Sequence, residues 1–202
     1  MKSKVININI NSKEDIDEFY KHLRWYIIFK KKYIMKLNIS DNINDSFKNE
    51  LKEIERIFNI KDRHKRINAM YLSVCDYIDK YYIDKNVCKF KNDTCVCQRM
   101  GFEKAKINGC CGSCKYLEEH GCSIKSLACK LFYCRYMKKK NKIFKPNDIK
   151  VFKYFYSPAQ KVIAKFNFFH TEEENCKLLY KNSILAFAFT KDAKVDRFKE
   201  VD

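Results

Sequence analysis

Glycine and proline are scarce in this chain, which has four glycines and two prolines among its 202 residues. β-Sandwiches and β-barrels need many tight turns, and those turns depend heavily on both residue types. The scarcity therefore argues against an all-β fold. Sixteen phenylalanines and thirteen tyrosines supply ample apolar surface for a core. We expect a single domain over residues 1–202, since this length is typical of one domain.

Long apolar runs are also missing. The longest, such as residues 25–29, fall far short of the roughly 20 residues that a helix needs to span a bilayer. Polar residues interrupt the first ten positions, so no secretory signal is expected there. We therefore predict a cytoplasmic protein without membrane contact, in a compartment where thiols stay reduced.

Motifs of catalysis are absent from the sequence as well. It contains no glycine-rich phosphate loop, no G-x-S-x-G nucleophile elbow and no helix with paired metal-binding histidines. The C-x3-C-x2-C spacing of common radical enzymes is missing too. The four histidines are isolated from one another: His22, His64, His120 and His170. We therefore favour a binding role over an enzymatic one.

What the chain has in excess is cysteine. Nine of its eleven cysteines lie between residues 88 and 134, and all four glycines lie in the same stretch. Thiolates are strong ligands for zinc and for iron–sulfur clusters. In Cys111-Gly-Ser-Cys114 the two-residue gap lets both sulfurs reach one metal ion. Because clustered cysteines in a reducing compartment bind metal more often than they pair, we predict metal binding here.

The candidate ligands fall into two tiers. The first tier is Cys110, Cys111, Cys114, Cys122, Cys129 and Cys134, and the second is Cys88, Cys95 and Cys97. Zn²⁺ and a [4Fe–4S] cluster each take four thiolates, so the spacing leaves the cofactor and the number of sites open. His120 could replace a thiol, but we favour a solvated loop histidine, because it has no partner at zinc-finger spacing. Cys134 could instead pack in the core, because residues 126–138 have a helical apolar face with Leu127 and Leu131.

Three segments of this stretch carry a family resemblance. Gly109-Cys-Cys-Gly-Ser-Cys114 is similar to a CxxCxxCC signature, with the vicinal pair before the gap instead of after it. Gly121-Cys-Ser-Ile124 is similar to a Gly-x-Cys-Ser-Ile segment. The motif around Cys129 is similar to Arg-Pro-x-x-Cys-Arg-x-Phe, with Ser126 in place of proline. Residues 109–134 thus resemble the YkgJ-like cysteine-cluster family, described as zinc- or iron-chelating. The resemblance implies metal binding and no established activity, although one relative, the flagellin lysine methylase, is tied to methylation.

The flanking regions have the apolar spacing of helices. Ser12 and Thr171 each begin a capping box, Asp62 is a plausible N-cap, and Pro146 and Ser157-Pro158 suit helix starts. Apolar residues at three- and four-residue steps predict three helices before residue 85. Their expected apolar positions are Ile16, Phe19, Tyr20, Leu23, Tyr26 and Ile27 in the first, Phe47, Leu51, Ile54 and Phe58 in the second, and Ile67, Met70, Tyr71, Val74, Ile78 and Tyr82 in the third.

About three further helices are expected after residue 145, with Phe152, Phe166, Phe169 and Leu179 among their apolar positions. Cys75 and Cys176 lie on apolar helical faces, so we predict that they are core thiols and not ligands. Residues 5–10 alternate isoleucine with asparagine and predict a short strand, for which residues 186–189 are the expected partner.

The predicted fold is mainly α, a helical shell around an irregular cysteine-rich metal-binding insert, with room for one short two-stranded pairing. Residues 1–85 form the N-terminal helices, residues 86–135 the metal-binding segment and residues 136–202 the C-terminal helices.

Positive charge dominates the chain, with a net +17. Most of the excess lies in residues 88–145. It could bind nucleic acid or an anionic protein surface, for example through residues 135–142. We favour the alternative, in which this charge compensates the negative charge of metal-bound thiolates. Three hypotheses follow: a metal-binding protein, a metal-dependent nucleic-acid-binding regulator, or an iron–sulfur redox or modification protein. The oligomeric state stays open.

Overall fold

The computed structural model describes residues 4–85, 117–118, 121–122, 126–131 and 145–182. In chain order the elements are β1 (Lys4–Ile10), α1 (Lys13–Ile28), β2 (Tyr33–Ile39), α2 (Asp45–Asn59), α3 (Arg63–Lys85), β3 (Leu117–Glu118), β4 (Gly121–Cys122), α4 (Leu127–Lys130), α5 (Lys150–Phe155), α6 (Pro158–Phe166) and α7 (Glu172–Lys181). Short 3₁₀ turns occupy Lys30–Lys32 and Pro146–Asp148. Helices account for 69% of the described residues, which confirms the mainly α prediction.

A parallel strand pair opens the fold. β1 pairs with β2 in the register Ile6–Met35, Ile8–Leu37 and Ile10–Ile39, and α1 connects the two strands, as parallel pairing requires a crossover. The strand predicted over residues 5–10 is therefore confirmed. Its partner in the structure is β2, which the sequence analysis missed, whereas residues 186–189 lie outside the described residues.

Side chains of α2 bind the edge of β2 that faces away from β1. The side-chain amide of Asn59 accepts a hydrogen bond from the Met35 N–H at 2.9 Å and donates one to the Met35 carbonyl at 2.8 Å. The Leu37 N–H donates to Glu55 Oε1 at 3.3 Å. An unpaired strand edge would leave these backbone groups open to another chain. α2 thus takes the place of a third strand over this part of β2.

The predicted helix starts are confirmed at both capping boxes. At the start of α1, Ser12 Oγ accepts from the Asp15 N–H at 3.2 Å, and Asp15 Oδ2 accepts from the Ser12 N–H at 3.0 Å. Thr171 and Glu174 make the same reciprocal pair before α7. Asp62 caps α3 through a 2.7 Å bond from the Lys65 N–H. Each pair satisfies backbone donors that a helix start leaves free.

Some predicted apolar positions lie at helix ends and miss the core. Phe47, in the first turn of α2, is 40% exposed, and Phe166, the last residue of α6, is 67% exposed. Phe169 lies beyond α6 in a turn with a φ of 63°, a value uncommon outside glycine. Pro146 begins a 3₁₀ turn, and α5 starts only at Lys150. Apolar spacing predicted which face of each helix is buried, but it did not predict where each helix begins and ends.

α3 is the central element of the core. It contacts α2, α4, α5 and α7, and its Tyr71, Val74 and Ile78 are fully buried. Tyr71, Phe58 and Phe152 are among the largest fully buried side chains. One cluster of buried residues includes members from both the 4–85 and the 145–182 ranges. Within the described residues, no helix is long and apolar enough to cross a bilayer.

Candidate functional site

The structure describes two of the nine candidate metal ligands. Cys122 lies in β4, where its backbone pairs with Leu117 across a short antiparallel ladder, and Cys129 lies in α4. Outside the described residues lie the other seven: Cys88, Cys95, Cys97, Cys110, Cys111, Cys114 and Cys134. Among residues that the structure does describe, no three His, Cys, Asp or Glu side chains meet in a metal-binding group. The ligand set predicted from the sequence therefore stays a prediction.

The segment that carries Cys129 is anchored in the helical core. Ser126, Leu127 and Ala128 are all buried, with exposed fractions of 1% or less. The Leu127 N–H donates to the Tyr71 hydroxyl at 2.8 Å, and Ser126 Oγ donates to the Asn167 carbonyl at 3.2 Å. Residues 126–131 are thereby fixed to both α3 and the turn after α6.

A buried polar network surrounds this anchor. The Asn175 side-chain amide donates to the Tyr71 hydroxyl at 3.2 Å and to the backbone carbonyls of His170 and Thr171, both at 3.0 Å. Asn167 Nδ2 donates to Asn175 Oδ1 at 2.7 Å. Buried polar groups are costly unless they are hydrogen-bonded, so these bonds specify one arrangement of α3, α4 and α7. The sequence analysis missed the network, because no local pattern marks Asn175 as buried.

Cys129 lies on the outer side of α4. Leu127 and Leu131 point into the core, which confirms the apolar face predicted for this segment as far as residue 131. Cys129 is a free, half-buried thiol, and the neighbouring Lys130 ammonium forms an ion pair with Asp79 on α3. Among the described residues, Cys129 is not a member of the buried apolar cluster.

Cys75 and Cys176 have the environments of packing thiols. Cys75 is buried on α3 with 4% exposure, which confirms the core position predicted for it. Cys176 is half-buried, packs against the core and lies with its Sγ 3.8 Å from Asn68 Oδ1. Burial raises the pKa of both thiols to about 12. Burial thus disfavours the thiolate form, which a metal ligand or a nucleophile needs.

Comparison with known proteins identified no relative of this chain. The chain matches no protein-family model, no curated protein and no solved structure. The resemblance of residues 109–134 to the YkgJ-like family therefore stays a prediction, and function has to be argued from the residues of the chain itself.

Proposed function

We propose that this protein binds zinc or an iron–sulfur cluster through thiolates between Cys88 and Cys134. The observation that carries the proposal is the concentration of nine cysteines in this stretch, against two in the rest of the chain. The donor set fits the chemistry, because both metal centres take four cysteine thiolates. The six cysteines of the first tier are the favoured ligands, and the remaining three are the second choice.

The anchored position of Cys129 supports the proposal. Its helix is held by Leu127 and by the Tyr71 hydroxyl, so one candidate ligand has a fixed place relative to α3. Ligands held by rigid elements keep their geometry better than ligands on free loops. Cys129 on this anchored helix could therefore supply one ligand of a metal site, with the other ligands supplied by cysteines that precede it in the sequence.

The distribution of charge and of thiol acidity also supports this assignment. Each four-thiolate site carries negative charge, which nearby lysines stabilise by favouring the thiolate form. Residues 88–145, which include all nine candidate ligands, carry most of the net positive charge of the chain. The two thiols outside the cysteine-rich stretch have a raised pKa because they are buried, so they are poor competitors for the metal.

Metal identity is tested on protein purified without oxygen. We expect elemental analysis to find zinc, or iron together with sulfide, bound to the chain. A zinc site is colourless, whereas an iron–sulfur cluster absorbs visible light. Absorption that bleaches on addition of dithionite would assign an iron–sulfur centre and favour a redox or modification role. Stoichiometric zinc without visible absorption would assign a structural role.

Nucleic-acid binding is the second candidate function. The basic run at residues 135–142, on which the sequence analysis based this hypothesis, lies outside the described residues. A separate observation favours such binding at another place, where cationic and aromatic side chains of the described residues meet. None of the described residues that line that surface is a cysteine.

A further inference from the structure

A cavity of about 740 Å³ lies where α1, β2, α2 and α3 approach one another. It is lined by the end of α1, the start of β2, the end of α2 and the start of α3. Five cationic side chains contribute to its wall: Lys30, Lys32, Lys61, Arg63 and Arg66. No aspartate or glutamate among the described residues lines it. We call this cavity the basic pocket.

Neutral backbone carbonyls hold three of the five cations of the basic pocket. Lys30 Nζ donates to the carbonyls of Phe58 and Ile60 at 3.1 and 3.0 Å. Arg66 also donates to the Ile60 carbonyl, at 3.1 Å. Arg63 donates to the Tyr180 carbonyl at 3.2 Å.

These bonds position the cations without neutralising them. Within the described part of the chain, none of the five forms an ion pair with a carboxylate. The nearby acid that acts on Arg66 is Asp62, which is exposed and caps α3. The basic pocket is thus a concave surface with several fixed positive charges.

The pKa of Lys30 shows that holding a positive charge in this pocket costs free energy. Burial, together with the charge of Arg66, lowers the pKa of Lys30 to about 8. A lowered lysine pKa means that its charged form is disfavoured in this environment. An anion bound in the basic pocket would relieve that cost, because an opposite charge stabilises the ammonium.

Aromatic side chains border the basic pocket; Trp25 and Phe29 are exposed, and Tyr33 is half-buried. Trp25 is 48% exposed, and its ring centroid lies 5.0 Å from that of Phe29 and 6.0 Å from that of Tyr33. Phe29 and Tyr33 also line the basic pocket. We call these three side chains the aromatic edge. It places aromatic rings beside cations, with the Lys32 ammonium 5.6 Å from the centroid of Phe29, and proteins use this combination to bind single strands.

We propose that the basic pocket and the aromatic edge together bind single-stranded nucleic acid, with phosphates on the cations and a base stacked on Trp25. The volume falls within the roughly 300–1,000 Å³ of small-ligand sites, enough for part of a strand. Trp25 lies outside the lining of the basic pocket. The combined surface therefore extends past the basic pocket and has room for more than one nucleotide. The aromatic component favours a nucleic acid over an acidic peptide, which offers charge without flat bases.

The chain provides its own local probe of this surface, because Trp25 is its only tryptophan. The full-length protein, purified with its metal, is titrated with oligothymidylate of about ten nucleotides, within the site sizes known for single strands. We expect the strand to quench Trp25 emission as it binds. Thymidine monophosphate and polyglutamate, added at matched phosphate or carboxylate concentration, should leave the emission unchanged.

Two charge-matched variants separate this surface from general attraction to a basic protein. Lys32→Glu with Lys61→Glu alters two exposed pocket residues whose side chains, within the described residues, donate no hydrogen bond to the backbone. Lys13→Glu with Lys80→Glu makes the same change in charge, at positions about 20 Å along α1 and α3 from the basic pocket. The pocket variant should bind the labelled strand at least about tenfold more weakly and lower the slope of affinity against salt by about two. The control variant should change affinity less than about threefold.

Several results would overturn the proposal. Equal weakening by both variants would assign binding to the overall charge, and binding without quenching of Trp25 would place the strand elsewhere. Quenching by thymidine monophosphate as strong as that by the strand would assign a free nucleotide as the ligand. Competition by polyglutamate at matched charge would favour an acidic protein surface.

Discussion

A strong chelator is expected to make residues 88–135 sensitive to protease while residues 4–85 stay resistant. Between Cys88 and Cys122 the sequence has few aliphatic residues in regular spacing, so this stretch can bury little apolar surface of its own. Metal coordination would supply the stabilising free energy that apolar burial does not provide. Structural thiolate sites contribute on the order of 10 kcal/mol or more of binding free energy. The helices before residue 85 have a buried core that includes Leu23, Leu51 and Ile78.

Limited proteolysis with mass-spectrometric mapping, with and without chelator, measures this effect. Restoring the metal after chelation is the control, and it should return the original cleavage map. Identical maps in the presence and absence of chelator would show that the metal does not organise the stretch. Early cleavage within α1–α3 would show instead that the N-terminal core depends on the metal.

Leu127→Ala is expected to lower the free energy of unfolding by about 2–5 kcal/mol, the range for deleting a buried leucine side chain. Leu127 is fully buried, and its N–H donates to the Tyr71 hydroxyl. The substitution therefore opens a cavity at the point where residues 126–131 join α3. Denaturant unfolding followed by circular dichroism measures the change.

Phe166→Ala is the matched control for this substitution. Phe166 is also a large apolar residue next to the same region of the chain, but it is 67% exposed. Its removal should change the free energy of unfolding by no more than about 0.5 kcal/mol. Equal losses in both variants would contradict the account of α4 as an anchored element.

Helix starts were predictable because their signals are local. Ser12 with Asp15 and Thr171 with Glu174 lie three residues apart, and each pair forms the reciprocal hydrogen bonds that the sequence predicts. Apolar spacing also identified buried positions of the first three helices, such as Leu23, Leu51 and Val74. These features depend on neighbours within one or two turns, which a single sequence contains.

β2 was missed although its sequence carries a strand signal. Met35 and Leu37 are buried, while Lys36 and Asn38 between them are exposed, which is the period-two pattern of a half-buried strand. β2 has only seven residues and follows a lysine triplet, so its sequence also fits a loop that connects two helices. The parallel pairing with β1 also spans the whole of α1, so its evidence is not local.

The buried polar network around residues 126–131 and the basic pocket each depend on residues far apart in sequence. Tyr71 meets Asn175 and the Leu127 N–H only after α3, α4 and α7 have packed. The basic pocket likewise combines Lys30, from the 3₁₀ turn after α1, with Arg66 from α3. Each of these charged residues by itself has the pattern of a solvated surface position. The fold brings them together, so only the structure reveals them.

The most direct test of the central claim is the metal content per chain of two double variants. In Cys111→Ser with Cys114→Ser, the change removes two first-tier ligands, and we expect the loss of at least one metal site. In Cys75→Ala with Cys176→Ala, the change removes two thiols whose pKa is raised by burial, and we expect metal content equal to that of the unaltered protein. The reverse pattern, or metal content unchanged by the serine variant, would contradict the assignment of the metal to residues 88–134.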